Sequence, residues 1–192
     1  INILDTPGHQ DFAEDTYRTL TAVDSVIVVI DVAKGVEAQT EKLVEVCRMR
    51  NIPIIVFINK LDRDGKDPFD LLDEIEENLD IAVHPMSWPI NGGRDFKGVY
   101  LIPNKSLNLF ESNKTKKADD VVRVDGVDDP LLAEKVGEKN ALKLQEDIEL
   151  VDGVYGELDL KSYLDADVAP VFFGSALNNF GVQEMLDTFI QI

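Results

Sequence analysis

Four apolar runs of strand length punctuate the chain: Ile1–Leu4, Ser25–Ile30, Pro53–Ile58 and Ala169–Phe173. They are rich in isoleucine and valine, and continuous rather than alternating. Strands covered on both faces by helices, as in a parallel sheet, read this way. Helical periodicities lie between them. Leu43, Val46, Cys47 and Arg50 fall near one helical face. So do Leu71, Ile75 and Leu79, and later Val182, Met185, Leu186 and Phe189. Asp67-Pro68 predicts a helix start, with a capping carboxylate followed by proline at the first helical position. Strands alternating with helices predict an α/β fold, a doubly wound and mostly parallel sheet.

The rhythm breaks between His84 and Leu150. After Gly92-Gly93 come short alternations, Val99-Tyr100-Leu101-Ile102 and Leu107-Asn108-Leu109-Phe110, which predict hairpin strands of an antiparallel sheet. Asp129-Pro130 predicts a further helix start, and Ala141, Leu144, Ile148 and Val151 another helical face. The expected organisation is one α/β unit from residues 1–83 and 151–192. An insertion of mixed antiparallel strands and helices, residues 84–150, interrupts it. Lys114, Lys116 and Lys117 cluster where a hairpin tip is expected, either as a solvated turn or as a contact for RNA or protein.

Composition narrows the function classes. Hydrophobic residues make up 44% of 192, enough for a packed core. No apolar run approaches the roughly 20 residues of a membrane span, and none reads as a signal peptide. A single cysteine, Cys47, excludes a disulfide framework within the chain and fits a reducing, cytoplasmic setting. On the apolar face of a helix it reads as a small buried hydrophobe. The net charge of −18 opposes broad contact with nucleic acid, because polyanion binding depends on lysine and arginine at phosphates.

Three short motifs carry candidate chemistry, each directly after an expected strand, where open α/β sheets bind their ligands. The first is Asp5-Thr6-Pro7-Gly8-His9. A carboxylate at Asp5 can hold Mg²⁺, through water. Gly8 lets a backbone N–H approach a terminal phosphate. His9 is placed to orient or polarise an attacking water. The second is Asn59-Lys60-Leu61-Asp62. Asp62 can accept both N1–H and N2–H₂ of guanine, which adenine lacks, so an adenine-nucleotide enzyme is disfavoured. Asn59 can bond the other purine edge, and the stem of Lys60 can cover the ring face. The third is Gly174-Ser175-Ala176-Leu177, whose small residues let a backbone N–H reach the guanine carbonyl oxygen. Read singly, the three are also a turn, a polar loop and a strand-to-helix connection. Three in this order make coincidence a poor account.

With these motifs the sequence resembles the GTP-binding domain of translational GTPases. Asp5–Gly8, Asn59–Asp62 and Ser175–Leu177 look like the family's third, fourth and fifth guanine-nucleotide motifs. His9 is similar to the histidine that marks its translation-factor branch. Within that branch the resemblance is greatest to the bacterial peptide chain release factor 3 group, through Asp5–Ala22, Asn59–Asp64, Trp88–Ile90 and Pro170–Gly181. It implies a P-loop GTPase fold, GTP or GDP with Mg²⁺ as ligands, and hydrolysis aligned by His9. The implied partners are the ribosome and class-1 release factors. An elongation factor G-type translocase and a non-catalytic interaction module remain alternatives. The family's phosphate loop, G-x-x-x-x-G-K-[ST], occurs nowhere in the 192 residues. The chain opens on an apolar run with nothing ahead of it, so a truncated start is expected, and with it a piece that is inactive alone.

Overall fold

The computed structural model describes residues 2–6, 18–110 and 121–192. Pro7, Gly8 and His9 of the first motif lie outside them, as do the lysines at 114, 116 and 117. Four parallel strands form the first sheet: β1 (Val26–Asp31), β2 (Ile54–Asn59), β3 (Ala82–Pro85) and β8 (Val168–Phe173), in the order β1-β2-β8-β3. Four antiparallel strands form the second: β4 (Ser87–Ile90), β5 (Gly98–Leu101), β6 (Ser106–Leu109) and β7 (Val121–Arg123), in sequence order. The helices are α1 (Ala38–Met49), α2 (Pro68–Leu79), α3 (Pro130–Val136), α4 (Glu138–Tyr155), α5 (Leu160–Leu164) and α6 (Val182–Gln191). The α/β class read from the sequence holds, with an antiparallel sheet added to the parallel one.

Burial explains the strands. Five of six residues in β2 and five of six in β8 are buried, as their continuous apolar runs require. β1 departs from that expectation. It alternates, with Val28 and Ile30 buried while Ile27 is 36% and Val29 57% exposed. The expected strand Ile1–Leu4 is not formed by the residues described from it. Residues 2–4 lie in no regular element, and Ile3 is 72% and Leu4 54% exposed. An apolar run becomes a parallel strand only with a hydrogen-bonded neighbour and a covered face, and no described strand pairs with it. β3 is absent from the sequence prediction, because a four-residue strand ending in His84-Pro85 carries little periodicity. It pairs parallel to β8, Ala82 opposite Val168 through Pro85 opposite Val171.

Two helices begin as their sequences predict. Asp67 accepts a hydrogen bond from the Phe69 N–H at 2.9 Å, and Asp129 does the same for Leu131 at 2.9 Å. Leu71, Ile75 and Leu79 of α2 are buried, as are Leu144, Ile148 and Val151 of α4. On α1, Val44 and Cys47 form the buried face. Burial pushes the Cys47 thiol up to about 11, so it is a thiol, not a thiolate. One apolar core runs from the parallel sheet through α2 to the antiparallel sheet and α4. A smaller one sits on the opposite face of the parallel sheet, under α6. Among the described residues, no helix is long and apolar enough to cross a membrane.

Candidate functional site

Three parallel strands end side by side, and the candidate residues follow their last positions. Asp31 of β1 is the register partner of Asn59 of β2, and Ile58 is that of Phe173 of β8. The loops leaving β2 and β8 are tied together by backbone bonds. Gly174 N–H donates to the Ile58 carbonyl at 2.9 Å, and Leu61 N–H to the Gly174 carbonyl at 3.1 Å. Gly174 is needed for this approach, since a Cβ there would collide with the Phe180 carbonyl oxygen and come within 2.6 Å of the Phe57 ring. Gly181, at φ +78°, turns the chain into α6, where any side chain would be strained.

The side chains then knit the two motifs. Asn59 Oδ1 accepts from the N–H of Lys60 at 2.8 Å and from that of Ala176 at 2.8 Å. Its Oδ1 is thereby oriented inward, leaving the Nδ2 amide as the donor toward a ligand. Ser175 is fully buried, and its hydroxyl donates to Asp62 Oδ1 at 2.5 Å. The same hydroxyl accepts from Asn178 Nδ2 at 2.8 Å, which commits its one proton to Asp62. A carboxylate offers about four lone-pair positions, so Asp62 can accept two further N–H donors. Lys60 Nζ forms an ion pair with Asp31 Oδ2 at 2.6 Å. That lysine bond, against the cost of burial, holds the Asp31 carboxyl below its ordinary range, helped by the N–H groups of Ala33 and Lys34. Leu61 is buried, and Leu177 is 83% exposed at the rim.

So Asn59, Lys60, Asp62, Ser175 and Ala176 are brought into one network, with Leu177 beside it. The first motif is not joined to it. Asp5 is exposed and Thr6 half-buried, and no hydrogen bond among the described residues links either to the network. At Ser175–Leu177, the N–H of Ala176 is held by Asn59 Oδ1. Two members of the network lie outside the sequence prediction. Asp31 carries the same signal as Asn59, a polar residue at the carboxyl end of an apolar run. Asn178 lies within the Pro170–Gly181 phrase, but its role depends on a turn that brings it back to Ser175.

The donor set fits a guanine base: a carboxylate fixed by a hydroxyl, an oriented amide, and a lysine stem held at its end. For Mg²⁺, no group of three or more potential ligands is gathered among the described residues; Asp5 would be the carboxylate that holds it. Mg²⁺ keeps most of its shell as water and phosphate oxygen when it accompanies a nucleotide, so a lone carboxylate is compatible with it.

Comparison with known proteins agrees with this geometry. The family described as the elongation factor Tu GTP binding domain matches residues 1–192. A crystal structure from Thermus thermophilus is similar over 96% of this chain, with a TM-score of 0.65 and 21% identity, a likeness of fold. The chain spans 28% of that protein's length. The chain therefore belongs to the elongation factor Tu GTP-binding domain family, the guanine-nucleotide-binding GTPase domain of translation factors.

Proposed function

We propose that Asp62 selects guanine, and that the chain supplies the base-reading half of a GTPase acting on the ribosome at termination. The observation that carries the base assignment is the pinning of Asp62 by the buried Ser175 hydroxyl, beside the Asn59–Ala176 bond. Guanine presents two donors to the two carboxylate oxygens. Xanthine has a carbonyl where guanine has its amine, which sets acceptor against acceptor at Asp62. An asparagine there offers one acceptor and one donor and restores both bonds. Losing a hydrogen bond to a charged group costs about 1.5–3 kcal/mol, so the swing between the two bases is on the order of 10²-fold. In the full-length protein, Asp62→Asn is expected to weaken GDP and favour XDP. Competition binding of the two nucleotides reads this directly. An unchanged preference for GDP in the variant would overturn the assignment.

Asp5, Thr6, Pro7 and Gly8 face the phosphates in this reading, and His9 aligns the hydrolytic water. Bound Mg²⁺ would offset the charge on the phosphate oxygens, with Asp5 holding it through water. The protein's own contribution is positioning and charge stabilisation, without a covalent intermediate. His9→Ala is then expected to leave GDP affinity nearly unchanged while ribosome-stimulated hydrolysis slows roughly 10²-fold or more. Loss of GDP binding, or normal turnover, would remove His9 from that role. The 192 residues alone contain no G-x-x-x-x-G-K-[ST] nest for the phosphates, and they are expected to show no turnover in a single-turnover assay.

Recycling of class-1 release factors is favoured over elongation factor G-type translocation by the Asp5–Ala22 and Pro170–Gly181 phrases. GTP-dependent release of a class-1 factor from terminated ribosomes is the deciding measurement, and translocation without such release would favour the alternative. The antiparallel sheet with α3 and α4 is read as a subdomain inserted into the α/β unit. Residues 84–150 are proposed as that insertion, with His84 and Pro85 at its start paired to Pro170 and Val171 of β8.

A further inference from the structure

Lys60 is constrained twice, in its backbone and at its ammonium. Its backbone sits at φ +70°, in the left-handed region that is strained for a residue with a side chain. Its ammonium is bound by Asp31 Oδ2 at 2.6 Å while the side chain remains 42% exposed. Partly exposed ion pairs add little to stability, so this one is poorly explained as a brace for the fold.

The anchor itself is rigid. Asp31 ends β1, and its side chain is 16% exposed. Its second oxygen, Oδ1, accepts from the N–H groups of Ala33 at 2.9 Å and Lys34 at 3.3 Å. The Gly35 N–H closes the same turn on the Asp31 carbonyl at 2.8 Å. The neighbouring ammonium, that of Lys34, is engaged by Glu37 at 3.0 Å and does not compete for Oδ2. One carboxylate therefore faces two ways, with Oδ1 toward its own turn and Oδ2 toward Lys60.

Resting on the base-site reading above, we infer that Asp31 is a positioning residue for guanine nucleotide: its fixed carboxylate holds the Lys60 ammonium so that the lysine stem is laid out before a base arrives. A free lysine side chain carries more rotamer entropy than most, and stacking on a base would otherwise remove it. A stem already tied at both ends gives up less, and affinity rises without a new contact to the ligand. The stem supplies apolar cover for the purine face, while its charge stays satisfied beside the sheet. Asp31 touches no ligand in this account and acts only through Lys60.

The test is a double-mutant cycle in the full-length protein: wild type, Asp31→Asn, Lys60→Met and the double variant, each titrated with GDP. Asparagine keeps an Oδ1 acceptor for the turn and removes the anion from Lys60. Asp31→Asn is expected to weaken GDP roughly fivefold to tenfold, about what loss of most of that preorganisation allows. In the Lys60→Met background the same substitution is expected to do nothing further. Losses that multiply in the double variant, or an Asp31→Asn protein with wild-type affinity, would overturn the inference. If Asp31→Asn folds poorly, Asp31→Ser keeps a capping oxygen and enters the same cycle. The GDP–XDP competition on Asp62→Asn is run beside it. A failed base switch there removes the base site and this inference together, whereas a successful switch with an additive cycle removes the inference alone.

Discussion

Asn59 places one side-chain oxygen between two N–H groups that are adjacent in space but far apart in the chain, those of Lys60 and Ala176. Its identity is readable in the sequence because it ends an apolar run and opens a polar tetrapeptide. Its partner is not, because nothing local to Asn59 encodes which loop lies opposite. The same holds for Asp62 with Ser175, and for Asp31 with Lys60. Residue types can be nominated from the order along the chain, but the bonds that make them a site are long-range. His84 shows the reverse case, a residue that serves only as a boundary in the sequence and carries a physical consequence in the fold. It is buried at the end of β3, and burial pushes its imidazole below the ordinary value of about 6.5. The unfolded chain then takes up a proton at higher pH than the folded one. Stability is fully present above about pH 6.5 and falls as pH drops through the depressed folded value. Urea denaturation at about pH 7.5 and about pH 5.5 is expected to show a lower midpoint in the acid, and His84→Leu to reduce that difference. Equal losses in both proteins would mean that His84 burial is not responsible.

At the scale of elements, periodicity succeeds where one face or both faces are buried along the whole length. β2, β8, α2 and α4 all fall where their apolar positions place them. It fails at the two ends of that range. Ile1–Leu4 is apolar enough for a strand, but strand formation depends on a neighbour that composition does not reveal. β3, β7 and α5 are three to five residues long, too short for a period to emerge. The turn after β8 is visible in the sequence as a motif but not as a packing problem. A Cβ at Gly174 would meet the Phe180 carbonyl and the Phe57 ring, and the Ser175–Phe180 pair of backbone bonds closes the loop there. Gly174→Ala must push the loop away from β2, which breaks the tie between Asn59 and Ala176. The variant is expected to lose about 2 kcal/mol or more of stability and most of its GDP affinity. By contrast Asp67→Ala, which removes only the cap of α2, is expected to lose about 1 kcal/mol and to leave GDP affinity unchanged. Thermal melts with nucleotide titrations separate the two. A Gly174→Ala protein with normal affinity would show that the loop can relax without disturbing the site.

At the scale of the whole molecule, the sequence divides more cleanly than the structure does. The break in rhythm after β3 marks where the antiparallel sheet begins, yet the two sheets share one apolar core. Trp88 is the tightest point of that junction. It lies on β4 with no exposed surface, its ring 4.6 Å from Phe69 of α2 and 5.7 Å from Phe173 of β8, centroid to centroid. Its indole N–H donates to Asp147 of α4 at 3.1 Å. Phe180, just before α6, meets Phe96 ahead of β5 and Phe110 just after β6 in edge-on contacts at 5.5 and 5.3 Å. Opening the second sheet would therefore expose aromatic surface belonging to the first, and among the described residues the second sheet has no buried core apart from the shared one. Two-state unfolding follows, with both sheets lost in one transition. The sequence holds a single tryptophan, so its fluorescence reports the junction alone, while far-ultraviolet circular dichroism reports all the helices and strands. Urea midpoints from the two signals are expected to coincide. Trp88→Ala is expected to lower the dichroism midpoint for the entire molecule, at a cost of about 3–5 kcal/mol, a large part of the roughly 5–15 kcal/mol typical of a domain. A fluorescence midpoint well below that of dichroism, or a Trp88→Ala protein that melts in two steps, would mean that the insertion folds as a unit of its own and that the shared core does not couple the sheets.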